Sequence, residues 1–157
     1  MFRRSIAAVL LGGIALAGCT SSDASSSGAA APDRADQLWK QRTDFVGDNS
    51  RVIWLTRAAG FGPDGSYTIS LQTAAKPYGV TITFDEDLPK PVDSIDFTSP
   101  STLLLGTIGN LGTVHVEAPG RSFDLTSAQA STQLGYDVKR LGRDHEQLTA
   151  YVDALDD

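Results

Sequence analysis

This sequence predicts an α+β domain in which a small antiparallel sheet packs against four to five helices, and three observations carry the prediction. Residues 67–73 and 78–84 alternate apolar and polar side chains with a period of two, as half-buried strands do. Residues 33–60 and 99–108 instead space their apolar residues at helical intervals. Thr126 with Gln129, and Asp144 with Gln147, each place a capping side chain three residues ahead of a partner, a helix-start signature. Segregated helical and strand segments are the mark of the α+β class.

Taken in order, a first helix opens near Pro32 or Asp33 and ends around Thr43, with Leu38 and Trp39 beginning its apolar side. In "FVGDNSRVIWLTRAAGF", Gly47 breaks the chain and Asp48 or Asn49 caps a second helix. Val52, Leu55 and Ala59 form its inner face, Ile53 and Trp54 widen that face, and Gly60 terminates it. "SYTISLQT" and "YGVTITF" form a hairpin through Tyr67, Ile69 and Leu71 against Val80, Ile82 and Phe84. "VDSIDF" is a third strand or an irregular crossing. "SPSTLLLGTIGNLG" is helical, with Ser99 as cap, Pro100 in the first position and Leu103, Leu104 and Ile108 inward. "TVHVEA" and "RSFDL" read as strands. A helix then runs from Thr126 to about Leu134, and a last one follows Asp144 with Leu148, Tyr151, Val152 and Leu155 facing in.

The beginning of the chain has a different character. "MFRR" is basic, "SIAAVLLGGIALA" is apolar, and "LAGC" resembles the lipobox of bacterial lipoproteins, in which the cysteine becomes the lipidated first residue. The apolar run falls short of the roughly twenty residues that cross a bilayer. Residues 1–18 are therefore expected to be a signal peptide. Cys19, the only cysteine, is expected to carry fatty acyl chains such as palmitate, and residues 19–34 to be a Ser/Ala tether. Residues 35–157 then make one domain. The expected location is the outer face of the cell membrane, or the outer membrane in a diderm host because Thr20 is not an aspartate.

Composition narrows the partners. Loss of Arg3 and Arg4 leaves 11 basic residues against 19 acidic, a formal charge of −8. That surface repels nucleic acid and anionic lipid head groups, so contact with a membrane is expected only through the lipid, and the domain is expected to be monomeric. With Cys19 modified no thiol remains for a disulfide or a thiolate metal site.

"FVGDNSRV", "YTISLQTAAKPYGVTITF" and the "TVHVE" strand resemble a bacterial extracytoplasmic family, domain of unknown function 4825. The matching positions are Phe45, Val46, Gly47, Asp48, Asn49, Ser50, Tyr67, Thr73, Pro77, Tyr78 and Gly79, with Phe45 standing where the pattern more often has tyrosine. The resemblance is strongest over 45–84 and weakens towards the C-terminus. It implies a place outside the cytoplasmic membrane and, through members attached to membrane-embedded regulators of cell-wall stress, a sensing role. It implies no activity and no cofactor.

The residues agree with that silence on chemistry. His115 and His145 lie on unrelated elements and lack the close ligand pair that zinc requires, so no metal is expected. His115 is placed on the outward face of a strand and His145 in the first turn of an exposed helix. No Gly-x-Ser-x-Gly elbow supports a nucleophilic serine. Asp85, Glu86, Asp87 and Asp93 lack the ligand spacing of a calcium loop and read as a solvated acidic turn. Trp39, Phe45, Trp54 and Tyr78 read as core in preference to a ligand cleft. Gly47, Asp48, Asn49 and Ser50 remain: either they contact a ligand at a helix N-terminus, or they cap that helix, and capping is the expectation. Gly47 is expected to hold a backbone conformation that a Cβ resists. Together these readings make a lipid-anchored envelope domain that binds or senses, with no catalytic or cofactor residues and a possible envelope protein partner. The alternatives are an enzyme or enzyme accessory acting on envelope polymers, and a structural subunit of an envelope complex.

Overall fold

The structure, a computed structural model, describes residues 33–156. The leader and Cys19 lie outside the described residues. Asp33 caps helix α1 (Arg34–Gln41) by accepting from the Ala35 amide at 3.1 Å. Helix α2 (Asn49–Ala59) begins at Asp48 and stops at Gly60, whose φ of 113° suits glycine alone. Strands β1 (Tyr67–Gln72) and β2 (Tyr78–Phe84) form the expected hairpin, with Tyr67 opposite Phe84 and Ile69 opposite Ile82.

From β2 the chain passes through a 3-10 turn, Val92–Ser94, so "VDSIDF" is an irregular crossing. It then enters α3 (Thr98–Thr107) and returns as β3 (Leu111–Ala118), which turns back as β4 (Arg121–Thr126). Ser99 is not the cap of α3. The helix starts one residue earlier, and the Asp96 carboxylate accepts from the Thr98 amide at 2.7 Å and from the Ser99 amide. Helix α4 (Ser127–Leu134) opens on the capping box of Thr126 and Gln129. A 3-10 turn, Val138–Gly142, leads to α5 (His145–Asp156), where Asp144 accepts from the Gln147 amide at 3.2 Å.

The sheet order is β1-β2-β3-β4, and the fold class is α+β. The sheet is mixed where an antiparallel one was expected: both hairpins are antiparallel, but β2 and β3 run parallel, with Val80 beside Val114 and Ile82 beside Val116. A parallel neighbour needs a crossover, and α3 supplies it. That helix is buried at every residue from Pro100 to Thr107. It packs against β3 and β4 of the sheet and against α2, α4 and the turn at 138–142, which explains its lack of a polar side. An aromatic run from Phe61 through Tyr67, Phe84 and Phe97 to Phe123, with ring centroids 5.5–6.4 Å apart, carries the core along one flank. The other face of the sheet is polar, with Ser70, Thr81, His115 and Asp124 side by side in register.

Two burial expectations fail together. Ile53 and Trp54 do not widen the inner face of α2, because they are 41% and 58% exposed, and Phe45 is 67% exposed. Trp39 and Tyr78 are half-buried. Val52, Leu55 and Ala59 already fill the surface that α3 offers, and the side chains beyond them meet solvent.

Candidate functional site

The segment before α2 is laced onto the turn between α3 and β3. Thr43 donates its amide to the Thr107 carbonyl at 3.0 Å and accepts from the Gly109 amide at 2.8 Å. The Asn110 amide donates to the Asp44 carbonyl at 3.0 Å, and the Asn110 side-chain oxygen accepts from the Val46 amide at 2.7 Å. The approach leaves little room for a side chain at Gly109, where a Cβ would stand 3.1 Å from the Asp44 Cα. Val46 is buried and fixes the segment; its neighbour Phe45 points outward.

Asp48 is the cap of α2, its carboxylate accepting from the Arg51 amide at 3.4 Å. The same carboxylate lies 3.3 Å from the Arg51 Nε, and Arg51 also donates to the Arg42 carbonyl at 2.9 Å. Gly47 departs from expectation: its φ is ordinary, and a Cβ built there would meet nothing within 4 Å. Asn49 and Ser50 are exposed on the first turn.

Facing this segment is Lys139, which the sequence reading does not single out. Its ammonium donates to the carbonyls of Leu105, Ile108 and Leu111 at 2.5, 2.9 and 2.6 Å, closing the C-terminal end of α3. The Leu105 and Ile108 carbonyls lie at the negative pole of the helix, where a cation is favoured, and the Leu111 carbonyl belongs to the start of β3. Burial pulls the Lys139 ammonium down from 10.5 to about 8; the Asp137 carboxylate opposes the shift and Arg143 adds to it. Lys139 therefore stays charged at neutral pH. The turn that carries it sits tightly on α3, since a Cβ at Gly142 would lie 2.4 Å from the Gly106 carbonyl oxygen.

Between the two walls is a cavity of about 480 Å³. One wall is Arg42, Thr43, Asp44, Phe45, Asp48 and Arg51; the other is Gly106, Thr107, Gly109, Lys139, Gly142 and Arg143. Four cations thus face two carboxylates. Arg42 is held with its guanidinium 3.6 Å from the centre of the Trp39 ring, while Arg143 is 70% exposed and pairs only loosely with Asp137 at 3.6 Å. The arrangement presents net positive charge in a concave site, which favours an anionic group. Of the expected segment, Asp48 lines the cavity; Gly47, Asn49 and Ser50 do not.

The histidines sit elsewhere. His115 lies on the polar sheet face as expected, its Nδ1 2.5 Å from Asp124 and its Nε2 3.4 Å from Glu117. The hydrogen bond to Asp124 raises its pKa above 6.5. His145 begins α5, stacks against Trp39 with ring centroids 4.9 Å apart, and has its Nε2 3.1 Å from Asp36. Among the described residues no group of three His, Cys, Asp or Glu side chains is placed to hold a metal ion. Asp85, Glu86, Asp87 and Asp93 are exposed.

Residues 38–129, more than half of the sequence, match the model of a family described as a domain of unknown function, DUF4825. The chain belongs to this family. The DUF4825 match takes in the whole wall from Arg42 to Arg51 and the α3–β3 turn, and it ends within α4. Lys139, Gly142 and Arg143 lie beyond it, so the second wall joins Gly106, Thr107 and Gly109 from the matched region to residues from the C-terminal part of the chain. No curated protein and no solved structure matches the chain.

Proposed function

We propose that this DUF4825 domain is a binding module of the cell envelope, held to the outside of a membrane by lipid on Cys19. In this reading the cavity between Arg42–Arg51 and Lys139–Arg143 takes an anionic group, a carboxylate or a phosphate, borne by an envelope partner. The observation that carries the reading is the cavity itself. Four cations converge on it while two of them, Arg42 and Lys139, are already fixed in place by Trp39 and by three carbonyls. A site whose charges are held before the ligand arrives loses little on binding.

The test is crosslinking in intact membranes of the host, followed by recovery of the full chain, with the parent compared to Arg143→Glu. Arg143 is exposed and its reversal should leave folding intact. Partner recovery should fall in the variant at unchanged melting temperature; equal recovery would overturn the cavity as the binding site. The anchor is tested separately: Cys19→Ala should abolish labelling by radioactive palmitate and slow processing of the precursor. Labelling that persists in Cys19→Ala would remove the lipoprotein reading.

A further inference from the structure

Among the described residues, the large apolar side chains that stand exposed are Phe45, Ile53 and Trp54, all on α2 or its lead-in. On a helix of 3.6 residues per turn, Asn49, Ile53, Arg57, Ser50, Trp54 and Arg51 occupy one outward arc of about 200°. That arc holds two arginines and no acid, in a chain whose formal charge is −6. Lys40 of α1, also exposed, shares a groove with Trp54 and Ala58, and Arg57 shares a second hollow with Ile53. Tryptophan and isoleucine set among arginine and lysine, with no carboxylate on the arc, is the chemistry of a helix that lies in a bilayer interface.

The position of the chain's entry into the fold fits the same orientation. Arg34, the first residue of α1, donates to the carbonyls of Ala58 and Ala59 at 3.0 and 2.6 Å, so the chain leading back to Cys19 leaves the fold beside the end of α2. Thirteen residues lie between Cys19 and Asp33, and the fourteen steps from one to the other can span at most about 50 Å. A domain so anchored meets its own membrane continually, which makes even a weak face effective.

We infer that the outward arc of α2, centred on Ile53 and Trp54 with Lys40 and Arg57, docks the domain onto an anionic phospholipid surface. The inference rests on the lipid anchor in the proposed function. It also revises the expectation drawn from net charge, because the α2 arc itself carries Arg51 and Arg57 and no acid; Arg51 is paired with Asp48 at 3.3 Å, which leaves Arg57, with Lys40 beside Trp54, as the cations that meet the surface. Trp54 and Ile53 enter the boundary between head groups and acyl chains, and Lys40 and Arg57 meet the phosphates.

The experiment uses the chain as purified from its host, with Trp39→Phe so that Trp54 is the single tryptophan. It is placed on vesicles of phosphatidylcholine alone, or of phosphatidylcholine mixed with phosphatidylglycerol, both carrying acyl-brominated lipid as quencher. Trp54 emission should fall on the mixed vesicles, recover in high salt and stay bright on phosphatidylcholine alone. Lys40→Gln and Arg57→Gln should each lower the docked-to-free ratio about fivefold. Neither residue lines the cavity, so a failure here is distinct from a failure of anion binding. Unquenched emission on the mixed vesicles would overturn the proposal, as would equal quenching on both lipids. Mass spectrometry of Cys19 in the same sample decides the anchor on its own, because Trp54 emission is read with or without the lipid.

Discussion

The Val46 amide donates to the Asn110 side-chain oxygen at 2.7 Å, and this bond ties the start of α2 to the turn between α3 and β3. Asn110→Ala would leave the amide of a buried residue without its acceptor, at a cost of about 1 kcal/mol or more. Asn110→Asp keeps an acceptor and should lose less. Urea unfolding of the two variants checks the order, and equal stability would show that water replaces the side chain.

Asp48 caps α2 and pairs with Arg51, whereas Asn49 is exposed. Asp48→Ala should cost about 1 kcal/mol and Asn49→Ala much less. Thermal unfolding of both decides it. A reversed order would place the cap one residue later than the structure has it.

Gly142, in the cavity wall, and Gly47, in the lead-in to α2, should behave oppositely. Gly142→Ala drives a Cβ to 2.4 Å from the Gly106 carbonyl oxygen, a backbone atom that cannot step aside. Overpacking of this kind costs about 1–3 kcal/mol. At Gly47 the space is open and φ is ordinary, so Gly47→Ala should be neutral or slightly stabilising. Denaturant midpoints test the pair. A strongly destabilised Gly47→Ala would contradict the backbone described for that residue.

Lys139 gives the fold a dependence on alkaline pH. Its folded-state value of about 8 lies below the ordinary 10.5. Below about pH 8 folded and unfolded chains both hold the proton; between there and 10.5 the unfolded chain holds more, so the residue's contribution to stability rises with pH. Tyr67, Tyr136 and Tyr151 also titrate at alkaline pH, but they are common to parent and variant and cancel in the difference. The stability of the parent minus that of Lys139→Met should therefore grow as pH is raised from neutrality towards the ordinary lysine range. A flat difference would mean that the three carbonyls hold the ammonium protonated despite its burial.

What the sequence could convey follows from how local each interaction is. The first hairpin, the later strands and the ends of α2 and α4 are legible because alternation, Gly60 and the Thr126–Gln129 box act within a few residues. The parallel join of β2 to β3 is not, since it is set by where the buried α3 returns the chain. Ile53 and Trp54 extend an apolar stripe on paper; they face solvent because α3 is already covered by Val52, Leu55 and Ala59. At the site, a cap at Asp48 or Asn49 is readable from the sequence, and the structure assigns it to Asp48. Lys139 is not, because within "DVKRLGRD" it reads as one more solvated charge. The carbonyls it meets are 28 to 34 residues away. The only available signal was a basic run, Lys139 to Arg143, placed just after the last α4 residue in an otherwise acidic chain.

Arg34 at the start of the folded unit and Asp156 at its end lie 3.4 Å apart through their side chains, where α1 packs on α5. The backbone therefore describes a nearly closed circuit, and the order of elements along it is separable from their arrangement in space. A circular permutant that joins the two ends by a short glycine linker and opens at Pro119–Gly120, the exposed tip between β3 and β4, would retain every pairing in the sheet. The same closure means that any module fused to either end leaves the domain from one spot, so whatever held it by one terminus would also govern the orientation of cargo on the other.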